Sequence, residues 1–574
     1  MTGDPTTSWR SGRRPPTWLV AGPAVLAMTV FVTWPQSLYM GNRFASHVDS
    51  YFSTWRLMWI AHALSSAPRS LFDANIFYPS TGTLAYSDAT LLQGLLAAPL
   101  LWAGVSPIVV YNLLLLVGFA GSGLAMFVLA RYLTGRIGPA LVASGIFAMA
   151  PYRIEHFMHL ELQWAMWMPL TLWALHRALA ERSWRLGALG GLFLWLQMIS
   201  CVYYGVFLSI AAGLLVLTQA LMAPRETLAA WKTLAAGALV AAVLTVPYAL
   251  PYLENARTLG GRDSYDVTQF SAWPTDYLVA PELNRLWGWT AKIWGGDERR
   301  LFPGLMAIVL AGCALMRRQK RETWLYLVMA LVTIELSFGL NGYLYSWLFS
   351  RLPVLNGLRA PARFAIVAQC ALAVLAAVGV LALQDRFGRG EPSRMAGVAA
   401  IALLLVTVES SNSPAFLSGV SRPNPAAYDV YRAIRGIGPG VVLELPMPTL
   451  SSLPGQEAVY AFWSSTHWHP LVNGYSGYFP HVYAETANRM ETFPDDESLA
   501  RLGRLNVRYI IVHREFFGAG QYNELLLKMA AEPRLKPFGT YRDPAGEATL
   551  FLLNLDGSEP RATSSDAADA TGSR

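Results

Sequence analysis

Asp49 is the first residue of the chain placed to do chemistry. It sits in GNRFASHVDSYFSTWRLMWIAHAL, residues 41–64, a few residues past the point where the first apolar segment would leave a bilayer. Beyond it, Tyr51, Phe52, Trp55, Leu57, Met58, Trp59 and Ala63 mix with Ser53, Arg56 and His62. That mixture fits an amphipathic helix in the membrane interface, with its rings at headgroup level. A carboxylate held there meets a water-borne acceptor on one side and a lipid-borne donor on the other. The alternative role is an N-cap for that helix, since Asp is a good cap residue.

Other reactive groups fall in later polar stretches. PYRIEHFMHLELQW, residues 151–164, brings Glu155, His156 and His159. Histidines three apart share a helix face, so a divalent metal is open there, although the HExxH pattern is absent and hydrogen-bonded histidines are the commoner case. Between 252 and 301, Lys292 and Arg300 stand among Trp273, Trp287, Trp289 and Trp294. A sugar needs such a pairing, an apolar face to stack on beside donors to its hydroxyls, but a membrane-interface belt has the same make-up. NGLRAPARF, residues 356–364, puts Arg359 and Arg363 four apart at the mouth of an apolar run. Guanidinium forks bind phosphate oxygens bidentately, which suits a lipid phosphate; the plainer reading is headgroup contact. Finally, YAFWSSTHWHPLVNGYSGYFPHVY, residues 460–483, offers His467, His469 and Tyr475 as a polar ligand surface or as a lid over the rest.

The elements that must position these groups are membrane helices. Of the 574 residues 54% are hydrophobic and only 14% charged, against roughly a quarter charged in a water-soluble domain. The deficit is concentrated in apolar runs of bilayer-spanning length, so the chain reads as a polytopic α-helical membrane protein surrounded by membrane lipids. The net charge of +7 is explained by cationic loops on the cytoplasmic face and calls for no nucleic acid. Arginine greatly outnumbers lysine, a usage typical of GC-rich bacteria, which points to a bacterial inner membrane. Cys201, Cys313 and Cys370 lie in or beside apolar runs and form no metal or disulfide pattern.

Topology follows from the loop charges. Residues 1–17 are read as a cytoplasmic N-terminus and 18–36 as an uncleaved first span. The run 91–105 is short and interrupted by Pro99, so it is read as non-spanning. The basic loops at 131–136, 177–185, 225–232, 317–321 and 386–394 then all face the cytoplasm, as the positive-inside rule requires. About eleven spans result, near 18–36, 107–131, 138–151, 164–180, 186–202, 205–222, 233–251, 302–316, 323–339, 364–384 and 395–410. The outside loops are 37–106, 152–163, 252–301 and 340–363. An odd count puts residues 411–556 outside the cytoplasm. There VVLELP (441–446), VRYIIVH (507–513) and ATLFLLNL (548–555) read as strands, with helices near 496–505 and 522–532, giving a small α/β domain. Residues 557–574 have the composition of a disordered tail.

The chain carries no GxxxxGK[ST] loop, no GxGxxG after a strand and no GxSxG elbow, which argues against a cytosolic nucleotide as donor or energy source. A transporter or flippase of lipid-linked glycans would show mid-membrane ionisable groups and paired broken helices, and neither is evident. A non-catalytic cell-envelope assembly protein, with Asp49 dispensable, stays open.

In its order of parts the chain resembles the GT-C superfamily of integral-membrane glycosyltransferases, such as protein mannosyltransferases, the aminoarabinose transferase of lipid A and YfhO-like proteins. The shared parts are the short N-terminus, one span, a long outside loop with an early Asp, a multispan body and an outside C-terminal domain. The resemblance implies a sugar donor on a polyprenyl phosphate and a glycan, lipid or protein acceptor. It makes Asp49 the catalytic base and Glu155 the second acidic position, where this chain has no Asp. His156, His159, Lys292, Arg300, Arg359, Arg363, His467, His469 and Tyr475 are then the candidates for substrate binding.

Overall fold

The computed structural model describes residues 17–554, apart from 295, 297, 318, 422, 424–427 and 519. The expected N-terminal stretch, save Thr17, and the expected tail therefore lie outside the described residues.

A helix lies over each of the eleven segments expected to span, from Trp18–Val32 to Pro392–Glu409. Among the described residues, six helical stretches are long and apolar enough to cross a membrane: Pro107–Thr134, Ile137–Glu155, Val202–Met222, Trp231–Leu259, Pro361–Phe387 and Pro392–Glu409. Also among the described residues, Trp18–Val32, Leu91–Trp102 and Leu305–Arg317 are shorter apolar helices. Ala365–Phe387 is the hub, buried along almost its whole length, as a helix apolar on every side must be. Small residues let its neighbours close in: a Cβ on Gly379 would sit 1.8 Å from the Leu310 carbonyl oxygen.

Two sheets follow. β1 (Arg43–Ala45) pairs antiparallel with β2 (Leu417–Gly419), tying the first loop to the chain after the last membrane helix. The C-terminal sheet has the order β3-β4-β6-β5, from β3 (Val441–Leu445), β4 (Val507–His513), β5 (Leu535–Arg542) and β6 (Glu547–Leu553). β3 runs parallel to β4; the other pairs are antiparallel. β5 was not anticipated, because LKPFGTYR carries Pro537 and Gly539. At a sheet edge both are tolerated.

The Asp49 helix, Val48–Ser66, departs from expectation. It does not present one apolar face to the membrane interface, since 12 of its residues are buried on several sides. Phe52, Trp55 and Trp59 share one core with Tyr460, Phe462 and Trp463 of the C-terminal part. The stretch 460–483, expected as a polar ligand surface or a lid, begins within a fully buried helix, Glu457–Ser464, laid against the Asp49 helix. With aromatics spread around the Asp49 helix, covering its outer face buries more apolar surface than lipid contact on one face would. Within this core Thr54 donates to the Ser50 carbonyl at 2.7 Å and Arg56 to Glu161 at 2.9 Å.

Candidate functional site

A cavity of about 470 Å³ opens between the Asp49 helix, residues 85–88, the segment 357–363 and residues 475–479 of the C-terminal part. Asp49 stands in its wall at the start of its helix, two residues after the His47 cap. The Tyr475 hydroxyl donates to Asp49 Oδ1 at 2.8 Å, and His159 Nε2 lies 3.1 Å from Oδ2. His47 Nδ1 is also 3.1 Å from Oδ2 and 3.2 Å from the Asp49 backbone nitrogen. One ring nitrogen cannot serve both: Nδ1 donates to the carboxylate when it carries a proton and accepts from the amide when it does not.

The electrostatics fix the charge of this acid. Burial pushes the Asp49 carboxyl up, but the His159 charge and the hydrogen bonds of His159 and His47 outweigh it, holding Asp49 well below the carboxylate range. Burial likewise opposes charge on His159, yet Asp49 lifts its imidazole above the ordinary value. The two form a carboxylate–imidazolium pair.

Tyr475 reaches Asp49 because its loop is pinned. The buried Glu457 carboxylate accepts from the Gly474 amide at 2.7 Å and from Asn473 Nδ2 at 3.1 Å. The Asn473 carbonyl accepts from the Phe77 amide at 3.0 Å. Gly474 is required there, since a Cβ would lie 2.7 Å from the Phe77 ring.

Four arginines line the cavity, Arg56, Arg262, Arg359 and Arg363, with four acids, Asp49, Asp88, Glu161 and Glu298. Arg56 pairs with Glu161 at 2.9 Å, and Arg363 with Glu298 at 3.1 Å. Arg363 holds Glu298 down at about 2 against the push of burial. Among the described residues, Arg262 and Arg359 have no carboxylate within ion-pair distance. The Arg359 guanidinium lies 4.5 Å from the Phe270 ring centre, and Arg262 stacks on Tyr478 and donates to the Gly477 carbonyl. These two are the cations left for an incoming anion. Asp88 is nearly buried; burial and the nearby Glu161 charge push it up to about 6. Its carboxylate accepts from the Val202 amide at the start of a membrane helix.

Of the residues singled out in the sequence, Asp49, His159, Arg359, Arg363 and Tyr475 thus line one cavity. The others lie elsewhere. Glu155 faces Arg300 at 3.2 Å, and Arg300 also reaches Glu282 at 2.9 Å. The second-loop acid in the cavity wall is Glu161, six residues further on. His156 is fully buried behind His159, its ring edge-on to Tyr152 and to His159. Lys292 is exposed on a short helix. His467 stacks on Tyr431 and accepts from the His469 amide within the C-terminal part. Among the described residues no group of three or more His, Cys, Asp or Glu side chains is arranged to hold a metal. Sequence reasoning missed Asp88, Arg262, Glu298 and Arg56 as site residues. All four stood in stretches already marked as outside loops, and only their meeting in one cavity singles them out.

Neither a family model nor a curated protein matches the chain in sequence. Solved structures do match in fold. The cryo-EM structure of the arabinofuranosyltransferase AftD from Mycobacteria superposes with a TM-score of 0.64 over 95% of this chain, at 13% identity. Two structures of an AftD mutant give 0.62 and 0.58 at the same identity. The chain spans about 40% of the length of AftD. The chain thus shares its fold with that part of the arabinofuranosyltransferase AftD.

Proposed function

We propose that the protein is a membrane glycosyltransferase that moves a sugar from a polyprenyl-phosphate donor to an acceptor hydroxyl on the extracytoplasmic side. The observation that carries this reading is that Asp49, an ionised carboxylate, and Arg359, a guanidinium without a carboxylate partner, line the same cavity. The likeness of fold to AftD supports it.

The reaction is a single inverting displacement. The acceptor oxygen attacks the anomeric carbon, a new C–O bond forms, and the bond to the phosphate oxygen breaks. Asp49 receives the acceptor proton. A carboxylate held this low is a poor base toward a resting alcohol, and takes the proton as bond formation acidifies the hydroxyl. Tyr475 and His159 fix its two oxygens, so it is oriented before substrate arrives. Arg359, with Arg262 beside it, stabilises the charge growing on the leaving phosphate. Arg363 is committed to Glu298 and positions that wall. The sorting of the basic loops to one face of the proposed topology supports the outward placement; a reporter fused after Ser421 should then read the outer side.

The test is transfer of labelled sugar from a polyprenyl-phosphate donor in membranes matched for protein amount. Arg359→Ala should raise the donor KM and lower kcat together, because the phosphate is bound in the ground state and carries more charge in the transition state. An unchanged donor KM and kcat in Arg359→Ala would contradict the assignment.

A further inference from the structure

A second cavity, of about 550 Å³, lies beside the first. Three stretches of chain run from one lining into the other. Residues 85–88 border the Asp49 cavity and 80–82 its neighbour; Tyr252 faces the first and Pro251, Glu254 and Asn255 the second. Residues 475–479 border the first and 480–482 the second, and Tyr86 belongs to both linings. The two spaces are adjoining compartments with Tyr86 between them.

Their charges differ. The second cavity has one arginine, Arg69, against Asp73 and Glu254. Asp73 is occupied by the Gly82 amide at 2.9 Å, and Glu254 faces Arg257 at 3.7 Å. A phosphate therefore belongs with Arg262 and Arg359 in the first cavity. A prenyl chain fits no better, because it would strip water from Asp73 and Glu254 and give no hydrogen bonds in return. Phe72 and Tyr86 provide ring surface, while Ser80, Thr258 and His481 provide groups that both donate and accept. That combination suits an uncharged chain carrying hydroxyls on apolar rings.

We propose that this second cavity is the acceptor subsite and that the acceptor is a neutral glycan. Its sugars beyond the reacting one occupy the Phe72–His481 compartment, and the reacting hydroxyl passes Tyr86 to reach Asp49. The assignment rests on the transferase reading.

The experiment uses the full-length protein in membranes with a polyprenyl-phosphate sugar donor. Acceptors are alkyl monosaccharides, neutral oligosaccharides of mannan, arabinan and glucan type and a Ser/Thr-bearing peptide, with binding read separately by saturation-transfer NMR. For the matching glycan, acceptor KM should fall about tenfold from monosaccharide to tetrasaccharide. Thr258→Trp, which fills the cavity from an exposed helix position, and His481→Ala should abolish that gain. Both should leave transfer to the monosaccharide within about twofold. Transfer without length dependence, or unaffected by Thr258→Trp, overturns the subsite and leaves the transferase. Oligosaccharide binding that Thr258→Trp abolishes, with no transfer in any protein, overturns the transferase and the acceptor role together. A preference for peptide over every glycan overturns the acceptor class.

Discussion

The Tyr475 hydroxyl and the Asp49 carboxylate meet at 2.8 Å across 426 residues of chain. The candidate site is thus completed by the C-terminal part, and the membrane helices alone do not contain it. Tyr475→Phe removes the donor and leaves the ring, which packs edge-on against Phe52. Loss of a hydrogen bond to a charged group costs about 1.5–3 kcal/mol. Transfer should fall roughly tenfold or more, with little change in thermal stability. Unchanged transfer in matched membranes would show that the hydroxyl does not act on Asp49.

His159 sets how far Asp49 stays ionised in acid. Its charge and hydrogen bond are what outweigh burial at that carboxyl. In wild type the carboxylate should therefore persist below the ordinary carboxylate range, and transfer should show no acid limb from Asp49 above about pH 4. His159→Gln removes the charge, so the acid limb should move to higher pH. A pH–rate profile that does not shift would remove His159 from the site.

Much of the fold was legible because a bilayer imposes a simple rule: backbone groups must be satisfied within each segment, so apolar runs become helices. Length does not separate Leu91–Trp102 from Trp18–Val32 and Leu305–Arg317, which are short apolar helices as well. β3, β4 and β6 could be read from short apolar runs, whereas β5, with Pro537 and Gly539, was hidden by its own composition. The site was legible only in part. Asp49 and Arg359 stood out by type and position, but whether an arginine is free depends on its partner in space. Arg363 has the same sequence surroundings as Arg359, yet Glu298, 65 residues away in the chain, neutralises it. Glu155 and Glu161 could not be ranked either, since only the turn of the second loop decides which one enters the cavity.

The C-terminal sheet carries its own pH dependence. His513 is fully buried between Glu444 and Asp543. Burial opposes its charge, but the two acids lift it from 6.5 to about 9. A raised folded pKa stabilises fully below the unfolded value and loses that contribution as pH rises through the folded one. Stability of the C-terminal part should thus decline from about pH 6.5 and be lost in this respect above about pH 9, and His513→Gln should abolish the dependence. Thermal unfolding followed by tryptophan fluorescence from pH 6 to 10 checks this; a flat wild-type curve would contradict it.

The central claim is that Asp49 is the base, and Asp49→Asn tests it most directly. Asn keeps the size and can still accept from Tyr475 and cap the helix, so folding and membrane insertion should be preserved. It cannot take the acceptor proton. Transfer of labelled sugar from a polyprenyl-phosphate donor, in membranes matched for protein amount, should drop by about 10²–10⁴-fold. Near-normal transfer by Asp49→Asn would contradict the proposed mechanism at its core.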